Sequence, residues 1–162
     1  MKVILLFIIA VVINAVTIYL QRKSRIYTRL FGKYDWFVHV TLLSVVWGLF
    51  VTGLILTEPP TWKLPAALRP FGVLSLIGIY LIIATGSRLG TAGILNGWFF
   101  GRGPKEHLRG GVFRLKSPMY TGFAILFAGA AFWQENSFYL LMAALSFLLL
   151  NVFQARIEQP SN

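Results

Sequence analysis

Lys116-Ser117-Pro118-Met119-Tyr120-Thr121-Gly122 marks the point where a basic, glycine-rich stretch gives way to an apolar one that runs to Trp133. Serine is a good N-cap, and proline suits the first helical position because it lacks the N–H that would be unpaired there anyway. The spacing predicts a helix starting at Pro118, with free N–H groups and the positive end of its dipole beside Arg109, Arg114 and Lys116. Such a start attracts a carboxylate or a phosphate. An ordinary capped membrane helix with basic flanks has the same pattern.

Downstream, Met119 to Trp133 and Ser137 to Ile157 are two apolar runs separated by Gln134-Glu135-Asn136. Three residues leave room only for a tight helical hairpin. Glu135 is the one charge at that turn, with nothing basic expected beside it. Upstream, Gly86, Gly90, Gly93, Gly97 and Gly101 follow steps of 4, 3, 4 and 4, which on a helix places a bare stripe on one face. Close packing against another membrane helix is one use of such a stripe; close approach of a ligand to the backbone is the other.

Three further apolar runs precede these: Val3 to Leu20, Trp36 to Leu56 and Phe71 to Thr85. The first is long enough for the hydrocarbon at 1.5 Å per residue, and it reads as a retained anchor. Between the first two, Gln21 to Asp35 is a loop with Arg22, Lys23, Arg25, Arg29 and Lys33 against one acid, Asp35. Ser87 to Ser117 is a second basic loop, and both are expected on the cytoplasmic side by the positive-inside rule. Thr57 to Pro70, with four prolines, is a turn on the other side. Asn14 reads as a hydrogen-bonding residue between helices, and His39 as an interfacial or satisfied histidine rather than a catalytic one.

The expected fold is therefore all-α and polytopic, with about five transmembrane helices, a basic cytoplasmic loop and a C-terminal helical hairpin. Residues 1–162 form a single integral-membrane domain, 1–70 anchoring and 71–162 carrying the site, with the N-terminus extracytoplasmic and the C-terminus cytoplasmic. Composition agrees: 57% of residues are hydrophobic and mean hydropathy is +0.71. A net charge of +10 falls between apolar runs rather than along a stripe with interleaved polar readers, which excludes a nucleic-acid partner and points to anionic lipid headgroups. There is no cysteine, and the two histidines make no metal-ligand pattern.

From Gly78 to Pro160 the chain resembles the integral-membrane methyltransferases that include phosphatidylethanolamine N-methyltransferase and isoprenylcysteine carboxyl methyltransferase. Arg88-Leu89-Gly90-Thr91-Ala92-Gly93-Ile94-Leu95-Asn96-Gly97-Trp98-Phe99-Phe100-Gly101 is similar to the glycine segment of the phospholipid enzymes, and Ser117-Pro118-Met119-Tyr120-Thr121-Gly122 to their N-P-M-Y-x-G. Gly78 keeps one glycine of their G-x-G, and Glu158 stands where the family places an acidic pair.

The resemblance implies S-adenosylmethionine as methyl donor and S-adenosylhomocysteine as product. Its carboxylate suits the Ser117-Pro118 helix start with Arg109, Arg114 or Lys116; its ammonium and ribose hydroxyls suit Glu158; its adenine suits glycine backbone at Gly78, Gly90, Gly93, Gly97 and Gly101. Tyr120 and Phe113 are expected to face the sulfonium. His107 and Glu106 are the candidate bases, with solvated surface roles as the alternative. The expected acceptor is a membrane lipid, first a phospholipid amine headgroup and second an isoprenylated cysteine carboxylate. A non-catalytic membrane scaffold and a sterol-reductase-type enzyme are the readings from other classes. A bacterial inner membrane or an endoplasmic reticulum fits equally.

Overall fold

Inside hydrocarbon no water satisfies a backbone N–H or C=O, so an apolar run of this length becomes a helix whose polar groups bond one another. The computed structural model describes residues 2–102, 115 and 117–158, apart from the side chains of Trp98, Ala155 and Glu158. Among these residues the helices are α1 (Lys2–Ser24), a short α2 (Ile26–Phe31), α3 (Asp35–Leu56), α4 (Leu74–Ile94), α5 (Pro118–Trp133), α6 (Phe138–Ser146) and α7 (Ala155–Glu158). Lys2–Ser24, Ile26–Leu56 and Ala66–Ile94 are each long and apolar enough to cross a membrane, and Pro118–Trp133 and Phe138–Gln154 are shorter apolar helices. The chain is an all-α polytopic membrane protein.

Two stretches read as loops are helical in part. The Gln21 to Asp35 connection contains α2 and a 3-10 turn, Gly32–Tyr34. Its order comes from Asp35, whose carboxylate accepts from the Thr28 hydroxyl and the Trp36 N–H, both at 2.6 Å. Asp35 is 5% exposed, and a buried charge needs such partners. The proline-rich stretch likewise ends in a 3-10 helix, Ala66–Val73, around Pro70.

The described residues fall into two units: 2–58, 89–102 and 157–158 in the first, 59–88, 115 and 117–156 in the second. In the first unit α1 packs on α3 through Phe7, whose ring lies 6.0 Å from Trp47 and 5.2 Å from Phe50, with Val11, Ile18 and Leu43 also buried.

In the second unit α4 and α5 touch through their backbones. A Cβ on Gly78 would lie 2.7 Å from the Gly122 carbonyl oxygen, and one on Gly129 would run into the Ser75 amide and hydroxyl. The hairpin after α5 turns at Glu135 (φ 51°). Its turn pairs with an upstream loop, the Leu64 N–H donating to Glu135 O (2.8 Å) and the Ser137 N–H to Trp62 O (2.7 Å). Glu135 does have a basic neighbour, contrary to expectation: Arg69 Nη2 is 2.9 Å from its carboxylate. The proline-rich stretch folds back on the hairpin, a proximity that no sequence spacing encodes. The last apolar run is not one α-helix, since Phe147–Gln154 between α6 and α7 is a π-helix.

Candidate functional site

The glycines from Gly86 to Gly101 do not form a stripe on one helix. α4 is broken at Gly90 (φ 65°, ψ 176°) and ends at Ile94; Asn96 (φ 58°) and Gly101 (φ 73°) bracket a 3-10 turn, Gly97–Phe100. A positive φ costs an ordinary L-residue roughly 1–2 kcal/mol and glycine almost nothing, so these glycines turn the chain instead of continuing the helix. Gly90 and Gly101 have open space where a Cβ would stand. At Gly93 that space meets the Leu89 side chain, and at Gly97 the carbonyls of Arg102 and Ala92 at 2.7 and 2.8 Å. Gly78 is occupied by the contact with α5. Of the five glycines nominated from the sequence, two, Gly90 and Gly101, thus have no neighbour where a side chain would begin.

The segment after Gly90 is held by side chains of the first unit. Trp36 Nε1 donates to Leu95 O (3.4 Å), Gln21 Nε2 to Phe99 O (3.4 Å) and Arg102 Nη2 to Lys33 O (2.8 Å). Asn96 Nδ2 donates to Asn14 Oδ1 (3.4 Å). Asn14 thus bonds as expected, but to a turn rather than a helix. The Phe100 ring lies 4.8 Å from that of His39, which is fully buried, with no hydrogen-bond partner at either ring nitrogen. His39 is a packed histidine without a hydrogen-bond partner. Arg22 Nη1 donates to Ile157 O (3.0 Å), the residue before Glu158. The 89–102 segment and Ile157 thus belong to one unit, and each offers a backbone carbonyl, Phe99 O and Ile157 O, to the last turn of α1.

Ser117-Pro118 is in the second unit. Pro118 is the first residue of α5 and buried, as its type predicts. Ser117 stands at the N-cap position with φ −144° and ψ 74°, and its side chain makes no capping hydrogen bond. That ψ falls short of the extended range of a capping residue, so the serine hydroxyl does not close the helix start. Tyr120 is half-buried on the first turn. Thr121 Oγ1 donates to Asn151 Oδ1 (3.2 Å), while Thr85 and Ser146 bury hydroxyls without a hydrogen-bond partner.

None of Thr85, Asn151, Gln21 or Asn96 is marked by sequence reasoning, because one polar residue in or beside an apolar run has no periodicity. Glu106, His107, Arg109, Phe113, Arg114 and Lys116 lie outside the described residues, and Glu158 is described only in its backbone, at the end of α7.

No curated protein and no solved structure matches the chain. A family model, phospholipid methyltransferase, matches residues 70–161, a range that includes Gly90, Pro118 and Glu158. That match takes in more than half of the chain, and the protein belongs to the phospholipid methyltransferase family.

Proposed function

We propose that the protein is an S-adenosylmethionine-dependent methyltransferase acting on an acceptor held in the membrane, with the amine headgroup of a phospholipid such as phosphatidylethanolamine as substrate. The family match over residues 70–161 carries this reading. Two features of the structure suit the donor. The start of α5, without its serine cap, leaves N–H groups and a positive dipole end for a carboxylate. The open backbone at Gly90 and Gly101 admits a flat ring.

When bound, S-adenosylmethionine supplies a methyl group on a sulfonium sulfur, ready for direct displacement. The chain has only to hold donor and acceptor in line, and no covalent nucleophile is required. Tyr120 offers an aromatic face to a cation. Arg114 and Lys116 are assigned to the donor's carboxylate with Ser117 and Pro118, and Glu158 to its ammonium or ribose hydroxyls. Only a neutral amine attacks, so Glu106 and His107 are assigned the removal of its proton. Gly78, Gly93 and Gly97 are assigned packing instead of ligand contact. The basic stretches 21–35 and 87–117 are assigned to the cytoplasmic side, next to anionic lipid headgroups, with the N-terminus outside.

Saturable binding of S-adenosylhomocysteine to the detergent-purified chain is the test. Glu158→Ala and Pro118→Ala are each expected to weaken it about tenfold, as loss of one or two charged hydrogen bonds or of the helix start would. A wild type that binds nothing at millimolar ligand rejects the reading. Methyl-labelled donor with total lipid extract then identifies the acceptor: label in phosphatidylethanolamine derivatives supports the proposal, and label only in added prenylcysteine refutes the phospholipid assignment.

A further inference from the structure

We infer that Gln21 and Arg22, adjacent residues in the last turn of α1, are positioning residues for the donor, although both lie outside the matched stretch 70–161. The inference rests on the methyltransferase reading above. Neighbouring residues on an α-helix point about 100° apart, so one turn can serve two partners. Gln21 reaches the Phe99 carbonyl in the glycine segment, and Arg22 the Ile157 carbonyl next to Glu158.

Gln21 is fixed before it meets the segment. It is 2% exposed; its amide nitrogen also donates to Thr28 Oγ1 (2.7 Å), its oxygen accepts from the Thr28 N–H (3.4 Å), and the Thr28 hydroxyl donates to the buried carboxylate of Asp35. The chain Asp35–Thr28–Gln21 therefore sets where Phe99 O is held. The segment gains from being held, because Asn96 keeps a left-handed φ without being glycine, a conformation asparagine tolerates better than most residues but still at some cost. Trp36 on Leu95 O and Arg102 on Lys33 O add two further ties. The helices preceding the matched stretch thus supply a frame on which the Gly90 to Gly101 backbone and the chain end are set.

The experiment measures S-adenosylhomocysteine affinity, and KM and kcat for the donor, on the full chain in detergent. Gln21→Leu and Arg22→Gln are each expected to raise Kd and the donor KM about five- to tenfold, the usual worth of one hydrogen bond to a charged or buried partner. kcat at saturating donor should change less than about twofold, since the chemistry uses neither residue. Arg22→Lys should recover part of the loss, and Arg29→Gln, an exposed cation in the same connection, should have no effect.

If Gln21→Leu does not fold, Arg22→Gln, whose side chain is exposed, and Trp36→Phe decide the matter. Unchanged Kd and KM in folded variants overturn the inference while leaving the methyltransferase reading intact, and so does a fall confined to kcat. A wild type that takes up no S-adenosylhomocysteine removes both.

Discussion

In the second unit α4 and α5 meet backbone to backbone at Gly78 and Gly129, whereas in the first unit α1 and α3 meet through Phe7, Trp47 and Phe50, and polar side chains hold the 95–102 segment. Lipid tails are as apolar as leucine, so helices in a bilayer associate by close packing or by hydrogen bonds rather than by escape from water. The second unit packs α4 and α5 backbone against backbone, while the first combines side-chain packing with side-chain hydrogen bonds. Backbone contact has no slack. Side-chain contact has some, because a rotamer can move.

Introducing the same methyl group at different glycines breaks or sharpens that contrast. The largest effect is expected for Gly129→Ala, where the new Cβ meets the Ser75 amide, hydroxyl and Cα, the last at 2.8 Å; an overpacked backbone contact costs about 2–3 kcal/mol. A clear drop in the thermal midpoint of the detergent-solubilised protein checks it. Gly90→Ala comes next at about 1–2 kcal/mol, entirely from its positive φ, since the space there is open. Faster amide exchange around residues 89–95 would show that cost as local.

Gly53→Ala in the first unit meets only the tip of Leu6, Cδ1 at 2.8 Å, and should cost less than about 1 kcal/mol because that side chain can turn away. A thermal midpoint for Gly53→Ala as low as that for Gly129→Ala would abolish the proposed difference between the units. The smallest effect is expected for Arg69→Ala. Its side chain is 66% exposed and pairs with Glu135 at 2.9 Å; such surface pairs contribute less than about 1 kcal/mol, and the midpoint should hardly move, even at low salt.

Much of the fold was legible because hydropathy alone forces helices in lipid. All five apolar runs became helical, and the start at Pro118 and the turn at Gln134-Glu135-Asn136 fell where residue type placed them. The misreadings have separate physical causes. A step of 3 and 4 between glycines describes a helical face only while φ stays negative, and at Gly90 and Gly101 it does not. Ser117 has the right chemistry for a cap but not the right ψ. Arg69 with Glu135, and Gln21 with Phe99, are joined by tertiary contact across 66 and 78 positions, and no local pattern announces them. For the site, chemistry-bearing residue types were readable, while the residues that hold the segment were hidden among polar singletons.

The π-helix over Phe147–Gln154 bears on length variation. Removing one residue from a regular α-helix such as α5 swings everything beyond it by about 100°. A widened turn closed between i and i+5 can instead tighten to i and i+4 when it loses a residue, leaving the far end with its original heading. A single-codon deletion between Phe147 and Gln154 should therefore be absorbed where the same deletion in α5 is not.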